Sequence, residues 1–229
     1  MLNPEIIAES ISDAIASIKY PETPKGLYEP IEYTLESGGK RLRPQLTLAV
    51  CSALGSDIDK AMDAALGIEI FHNFTLLHDD VMDSADLRRG RPTVHKRWND
   101  NTAILSGDAM LTMATCFIAS TPGDVMPEVL DLFNRTAMEV YEGQQFDVDF
   151  EKTNDVTVSQ YLDMIRLKTS VLLGCACRVG AVIAHADEAT AEAFYDYGVN
   201  LGLAFQLRDD CWIHMEIRLF SANRSVVIF

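Results

Sequence analysis

No stretch of this chain alternates apolar with polar residues over the length that a half-buried strand needs, which leaves little room for sheet. Basic residues are in deficit. The 19 Lys and Arg stand against 34 Asp and Glu, a net charge of −15 that argues against general nucleic-acid binding. The acid excess is a solubilising surface. The amino terminus, Met1-Leu2-Asn3-Pro4-Glu5, has no basic region followed by an apolar stretch, so no signal peptide is expected. The most apolar long segment, Ser170 to Ala186, contains Arg178 and two glycines and falls short of a membrane span. The five cysteines (51, 116, 175, 177 and 211) are an odd set without metal-ligand spacing, expected to be buried reduced thiols of a cytoplasmic protein. Two glycosylation sequons, at Asn73 and Asn134, are chance matches in that setting. Linkers, repeats and low-complexity tracts are lacking too.

What the chain does have is helical spacing nearly throughout. Its 229 residues fit one domain with a sizeable core. Asn3-Pro4 predicts a cap and first-turn proline for a helix to about Lys19. A loop with two prolines follows, then a helix ending at Gly38-Gly39, and another starting at Pro44 and stopping near Gly55. A long helix from about Asp59 to Asp83 is apolar on most sides and therefore central. Asp86 to Pro92 reads as a basic loop. Further helices are predicted over roughly 102–119, 127–149, 156–186 and 188–212. The fold class is all-α, a single-domain bundle of long helices.

Carboxylates in an apolar helix are costly unless something cationic compensates them. Asp79 and Asp83 lie four apart and share a face, and His72 is two turns up nearly the same stripe. Such a pair can hold a hard cation such as Mg²⁺, with Mn²⁺ able to substitute. A lone pair at this spacing is more often a solvated face, but here Leu76, Leu77, Val81 and Met82 surround the acids. Gln206, Asp209 and Asp210 form a second polar set, Gln144 and Asp147 a third. Lys168-Thr169 sits among apolar residues, where a lysine alone would be read as snorkelling. Two glycine-containing basic segments, Gly38-Gly39-Lys40-Arg41-Leu42-Arg43-Pro44 and Leu87-Arg88-Arg89-Gly90-Arg91-Pro92, supply phosphate-binding forks and point charges. Acids for metals and bases for phosphate describe a site for metal-bridged diphosphates.

These residues, in this order from Gly38 to Cys211, resemble the trans-isoprenyl diphosphate synthases (polyprenyl synthetases), which have the isoprenoid (terpenoid) synthase fold. The resemblance implies that Lys40, Arg43, His72 and Arg89 hold the diphosphate of isopentenyl diphosphate. It implies that Asp79, Asp83 and Asp209, with Asp80 and Asp210, bind Mg²⁺ on an allylic diphosphate. Arg88 and Lys168 would contact that diphosphate, with Thr169 and Gln206 near the developing cation. Phe74, five before Asp79, resembles the aromatic stop of short-chain enzymes, and Thr75 leaves room beside it. A product of farnesyl to geranylgeranyl length is expected, made by a homodimer. Competing readings are a class I terpene cyclase, a His-Asp phosphohydrolase using His72 and His78-Asp79, and a non-catalytic partner subunit of a prenyl synthase.

One departure stands at the carboxyl end. The family's second motif is Asp-Asp-x-x-Asp, but this chain reads Asp209-Asp210-Cys211-Trp212-Ile213. Restoring one base before the Trp212 codon and reading the same nucleotides one position earlier gives Leu, Met or Val and then Asp. His214-Met215-Glu216-Ile217 then yields Tyr or His, an obligatory Gly, and Asp or Asn. Residues 1–211 are therefore expected to form the synthase domain without its last helices, and 212–229 to be an out-of-frame tail.

Overall fold

The computed structural model describes residues 3–153 and 155–224, the side chains of 212–224 excepted, so the expected out-of-frame tail falls outside the described side chains. The order is α1 (Pro4–Ala16), α2 (Lys25–Glu36), α3 (Leu42–Ala53), α4 (Asp59–Met82), β1 (Leu87–Arg88), β2 (Arg91–Pro92), α5 (Val94–Arg97), α6 (Asp100–Ala119), α7 (Met126–Phe150), α8 (Val158–Ile165), a π-helical turn (Arg166–Ser170), α9 (Val171–Ile183) and α10 (Glu188–Arg224). The all-α bundle is as expected.

Helix ends follow local chemistry. Asn3 accepts from the Glu5 amide with Pro4 in the first turn, Asn99 accepts from Thr102, and Thr157 with Gln160 forms a capping box. Helix α4 is central as expected, packed against α3, α6 and α9. Its buried face runs from Ala61 through Ile68, Phe71 and Phe74 to Leu77. Small residues set the close crossings: a Cβ on Gly67 would meet the Ala114 carbonyl oxygen of α6 at 2.9 Å, and one on Gly180 would meet the Thr47 oxygen of α3 at 2.3 Å.

Several boundaries differ from the reading above. Helix α3 starts at Leu42, because Pro44 in the first turn removes an amide that has no intrahelical partner there. The single helix expected over 156–186 is three segments, broken at the π turn. The basic loop is a small antiparallel hairpin, with Arg88 opposite Arg91 and left-handed Arg89-Gly90 (φ 53° and 75°) at the tip. Two residues per strand are too few for alternation to register. Cys51, Cys175 and Cys177 are buried as expected, but Cys116 and Cys211 are exposed. Among the described helices, α6, not the Ser170–Ala186 segment, is long and apolar enough to cross a membrane by length and composition.

Candidate active site

The first acidic set ends α4. Asp79 accepts a hydrogen bond from Gln144 Nε2 at 2.9 Å and lies 3.7 Å from Lys168 Nζ and 3.8 Å from an Arg88 nitrogen. Asp80 turns inward, 5% exposed, and accepts from Arg88 Nε at 2.7 Å. Its carboxylate is spent on orienting Arg88. Asp83 is exposed, and its pKa is raised by residual burial and by the neighbouring charges of Asp79, Asp147 and Glu151, with Lys168 opposing. Negative charge is in excess at this corner.

Lys168 and Thr169 are carried by the π turn, a geometry in which one extra residue is accommodated in a helix. Two glycines grip it. A Cβ on Gly143 of α7 would lie 2.2 Å from Lys168 N, and one on Gly202 of α10 would lie 2.6 Å from Ser170 Cα. Lys168 Nζ donates to Asp147 Oδ2 at 2.5 Å. Burial alone would lower its pKa, but the Asp147 hydrogen bond and the charges of Asp79, Asp147 and Asp83 raise it. Thr169 donates to Gln206 Oε1 at 3.2 Å, and Gln206 Nε2 donates to Asp210 at 3.0 Å. Tyr161 of α8 donates to the other Asp210 oxygen. Asp209 pairs with its neighbour Arg208 at 3.2 Å. The two acidic sets are thus linked through Lys168-Thr169, not by direct contact.

Two cavities share a wall of Lys168, Thr169, Arg43, His72 and Leu76. One, of about 190 Å³, is lined by Asp79, Gln144, Val140 and Leu172 and closes on Phe74, His78 and Tyr141. Phe74 packs 4.7 Å from the His78 ring and 6.2 Å from Tyr141, with Phe71 behind at 5.6 Å. Thr75 donates its hydroxyl to the His72 carbonyl, which leaves its methyl for the cavity. The other cavity, of about 670 Å³, is lined by Gly39, Lys40, Arg43, Glu69, His72, Arg89, Phe205 and Gln206. Arg89 lies flat on Gly39, where a Cβ would be 2.7 Å from its Cζ, and donates to Ser37 Oγ and the Gly38 carbonyl. Lys40 and Arg208 face the Phe205 ring at 5.5 and 5.1 Å. Arg43 is held to about 10 by burial, with Glu69 opposing, and so stays charged.

Sequence reasoning missed Tyr141, Glu69 and Tyr161, and gave Phe205 no role of its own. Only Glu69, an acid in an apolar run, carried a local signal.

Burial and the charges of Arg43, Arg89 and Arg88 hold the His72 imidazole well below its usual range. Below about pH 6.5 the unfolded chain takes a proton that folded His72 refuses, so stability falls by up to ~1.4 kcal/mol per pH unit. His72→Gln is expected to lose less stability than wild type between pH 7.5 and 5.5 in urea titrations. Equal losses would contradict the assignment.

A divalent cation fits the first acidic set. Its donors are all oxygen, and their charge is under-compensated, the preference of a hard ion. Asp79 and Asp83 are the available ligands there. Among the described residues, no three His, Cys, Asp or Glu side chains stand ready as a metal cluster.

The polyprenyl synthetase family model matches residues 24–212. Geranylgeranyl diphosphate synthase of Methanosarcina mazei is 40% identical over 189 residues, covering 82% of this chain and 58% of that protein. Geranylfarnesyl diphosphate synthase of Natronomonas pharaonis is 39% identical over 225 residues, 90% of this chain and 64% of the other. A crystal structure of a geranylgeranyl pyrophosphate synthase superposes with a TM-score of 0.89 at 53% identity, over 92% of this chain and 64% of that one. The chain spans about three fifths of the length of these relatives.

Proposed function

The chain belongs to the polyprenyl synthetase family, and from that premise we propose that its site condenses isopentenyl diphosphate with an allylic diphosphate. The product would be a short-chain isoprenyl diphosphate of farnesyl to geranylgeranyl length. The observation that carries this reading is the shared wall: Lys168-Thr169 borders both the cavity beside Asp79 and the cavity of Lys40, Arg43 and Arg89. Two diphosphates held in those two places would bring their carbon chains together at this wall.

Asp79 and Asp83, with Asp209, would hold Mg²⁺, which when bound to the allylic diphosphate draws off charge as it leaves. Arg88 and Lys168 stabilise the same developing charge from the protein side. The apolar walls at Phe74, Val140 and Leu172 keep water from the allyl cation. Thr169 and Gln206 present oxygens toward it. Arg43, Arg89, Lys40 and His72 position isopentenyl diphosphate, whose double bond attacks the cation. The proton then leaves to the departed diphosphate. A terpene cyclase has no use for the basic cavity. A His-Asp hydrolase would need His78 free, but its Nε2 sits 3.2 Å from the Ile104 carbonyl oxygen.

Residues from Trp212 onward are proposed to be out of frame, which resequencing of the gene decides. An uninterrupted frame with no family sequence downstream in the other frame sinks that idea. The missing third aspartate of the second motif also favours a non-catalytic partner subunit as a second reading, tested by coexpression with a full-length synthase. A homodimer is proposed from the family resemblance; Ile104 and Leu105 of α6 and Met138 of α7 are exposed apolar side chains that a second copy could cover. The substrates and product fit a cytoplasmic enzyme.

Labelled isopentenyl diphosphate and geranyl diphosphate, given to the frame-restored protein, should yield labelled longer prenyl diphosphates. Phosphate release without incorporated label would sink the synthase reading. Phe74 lies about 7.5 Å along α4 from Asp79, at 1.5 Å per residue. Phe74→Ala is therefore expected to lengthen the main product by at least one isoprene unit, read by chromatography. An unchanged product would remove Phe74 from the floor.

A further inference from the structure

Glu69 has no part in the reaction above, yet it puts a carboxylate in the wall of the basic cavity. It lies on α4, only 3% exposed. One oxygen accepts from Asn73 Nδ2 at 3.1 Å. The other is buried without a hydrogen-bond partner, as is Nε of Arg43 in the same cavity wall. Among the described residues, no Lys or Arg nitrogen pairs with Glu69 within 4.0 Å. Burial raises its pKa, while Arg43, Arg89 and Arg41 act against that through charge alone. Glu69 is therefore no bonded anchor for any guanidinium. Its contribution to the cavity is its field, and burying a carboxylate with one oxygen unpartnered is costly.

We propose that Glu69 is a built-in opposing charge that limits how tightly the Lys40–Arg43–Arg89 cavity holds a diphosphate, letting the site empty and refill. The inference rests on reading this cavity as the isopentenyl diphosphate site. Affinity shared equally by bound substrate and transition state does not speed turnover, so a site that clings to diphosphate gains nothing. Like charges several ångströms apart in a partly buried site repel by enough to change affinity about tenfold or more. The same repulsion weighs most on the most highly charged anions, so free pyrophosphate is excluded more strongly than a diphosphate monoester.

The test is calorimetric titration of the chain with inorganic pyrophosphate in the presence of a chelator, which silences metal-dependent binding. Glu69→Gln keeps the shape and the Asn73 contact but removes the charge. Its Kd for pyrophosphate is expected to fall about tenfold or more, and pyrophosphate should raise its melting temperature more than that of wild type. Glu69→Met also removes the charge and serves if the glutamine variant does not fold. Glu69→Asp retains the charge and should keep wild-type affinity. A wild type that binds while the neutral variants bind equally or more weakly overturns the inference alone. A wild type and neutral variants that all take up no pyrophosphate overturn the reading of the cavity, and the inference with it.

Discussion

Gly143→Ala is expected to lower the melting temperature by about 2–12 °C and to weaken diphosphate binding, most at the cavity beside Asp79. The added Cβ would sit 2.2 Å from Lys168 N and 2.7 Å from Leu167 C, both backbone atoms with no flexible end to yield. Overpacking of this kind costs about 1–3 kcal/mol, and each kcal/mol shifts a chain of this size by roughly 2–4 °C. The functional loss should exceed the loss of stability. Helix α7 and the π turn can separate only by moving Lys168 and Thr169 off the wall that both cavities share. Gly123→Ala, with nothing within 4 Å of the new Cβ, is the control and should melt within about 1 °C of wild type. The check is a thermal melt with and without pyrophosphate. An unchanged Gly143→Ala protein would show that the grip on the π turn is unimportant.

Lys168→Ala in the frame-restored protein is expected to cut kcat by about 10²–10³-fold, the usual loss when one preorganised donor to a developing anion is removed. KM for isopentenyl diphosphate should change by less than about threefold, because on the proposed reading Arg43 and Arg89 would still hold it. In wild type the ammonium is shared between Asp147 at 2.5 Å and Asp79 at 3.7 Å, which fixes it where the allylic diphosphate would leave. Lys168→Arg should recover only part of the rate, since a planar fork does not replace a point charge wedged between two carboxylates. Steady-state kinetics on both substrates reads the split. A kcat within tenfold of wild type would return Lys168 to the ordinary role of a snorkelling side chain.

Much of this site was legible before any coordinates. The long apolar helix with acids at its end, the Gly-Gly-Lys-Arg segment and the Arg-Arg-Gly turn announce themselves by residue type and spacing alone. The π turn does not. It is enforced by Gly143 and Gly202, from helices distant in sequence, and nothing inside Arg166–Ser170 signals it. The hairpin escaped notice because its strands are two residues long. The engagement of Asp80 by Arg88, and of Asp210 by Tyr161, depends on partners 8 and 49 positions away. Residue type marks a carboxylate as a candidate ligand; only packing tells whether its oxygens are free. Cys116 shows the same limit, since an apolar helix with an outward face leaves its thiol exposed.

The most direct measurement is the number of diphosphates this chain binds at once. Titration with isopentenyl diphosphate in chelator, and then with an unreactive allylic diphosphate analogue and Mg²⁺, should give two independent saturations. Lys40→Ala should weaken only the first, and Asp83→Ala only the second. One shared saturation, with each ligand displacing the other, would contradict the claim that acids and bases hold separate diphosphates on either side of Lys168-Thr169.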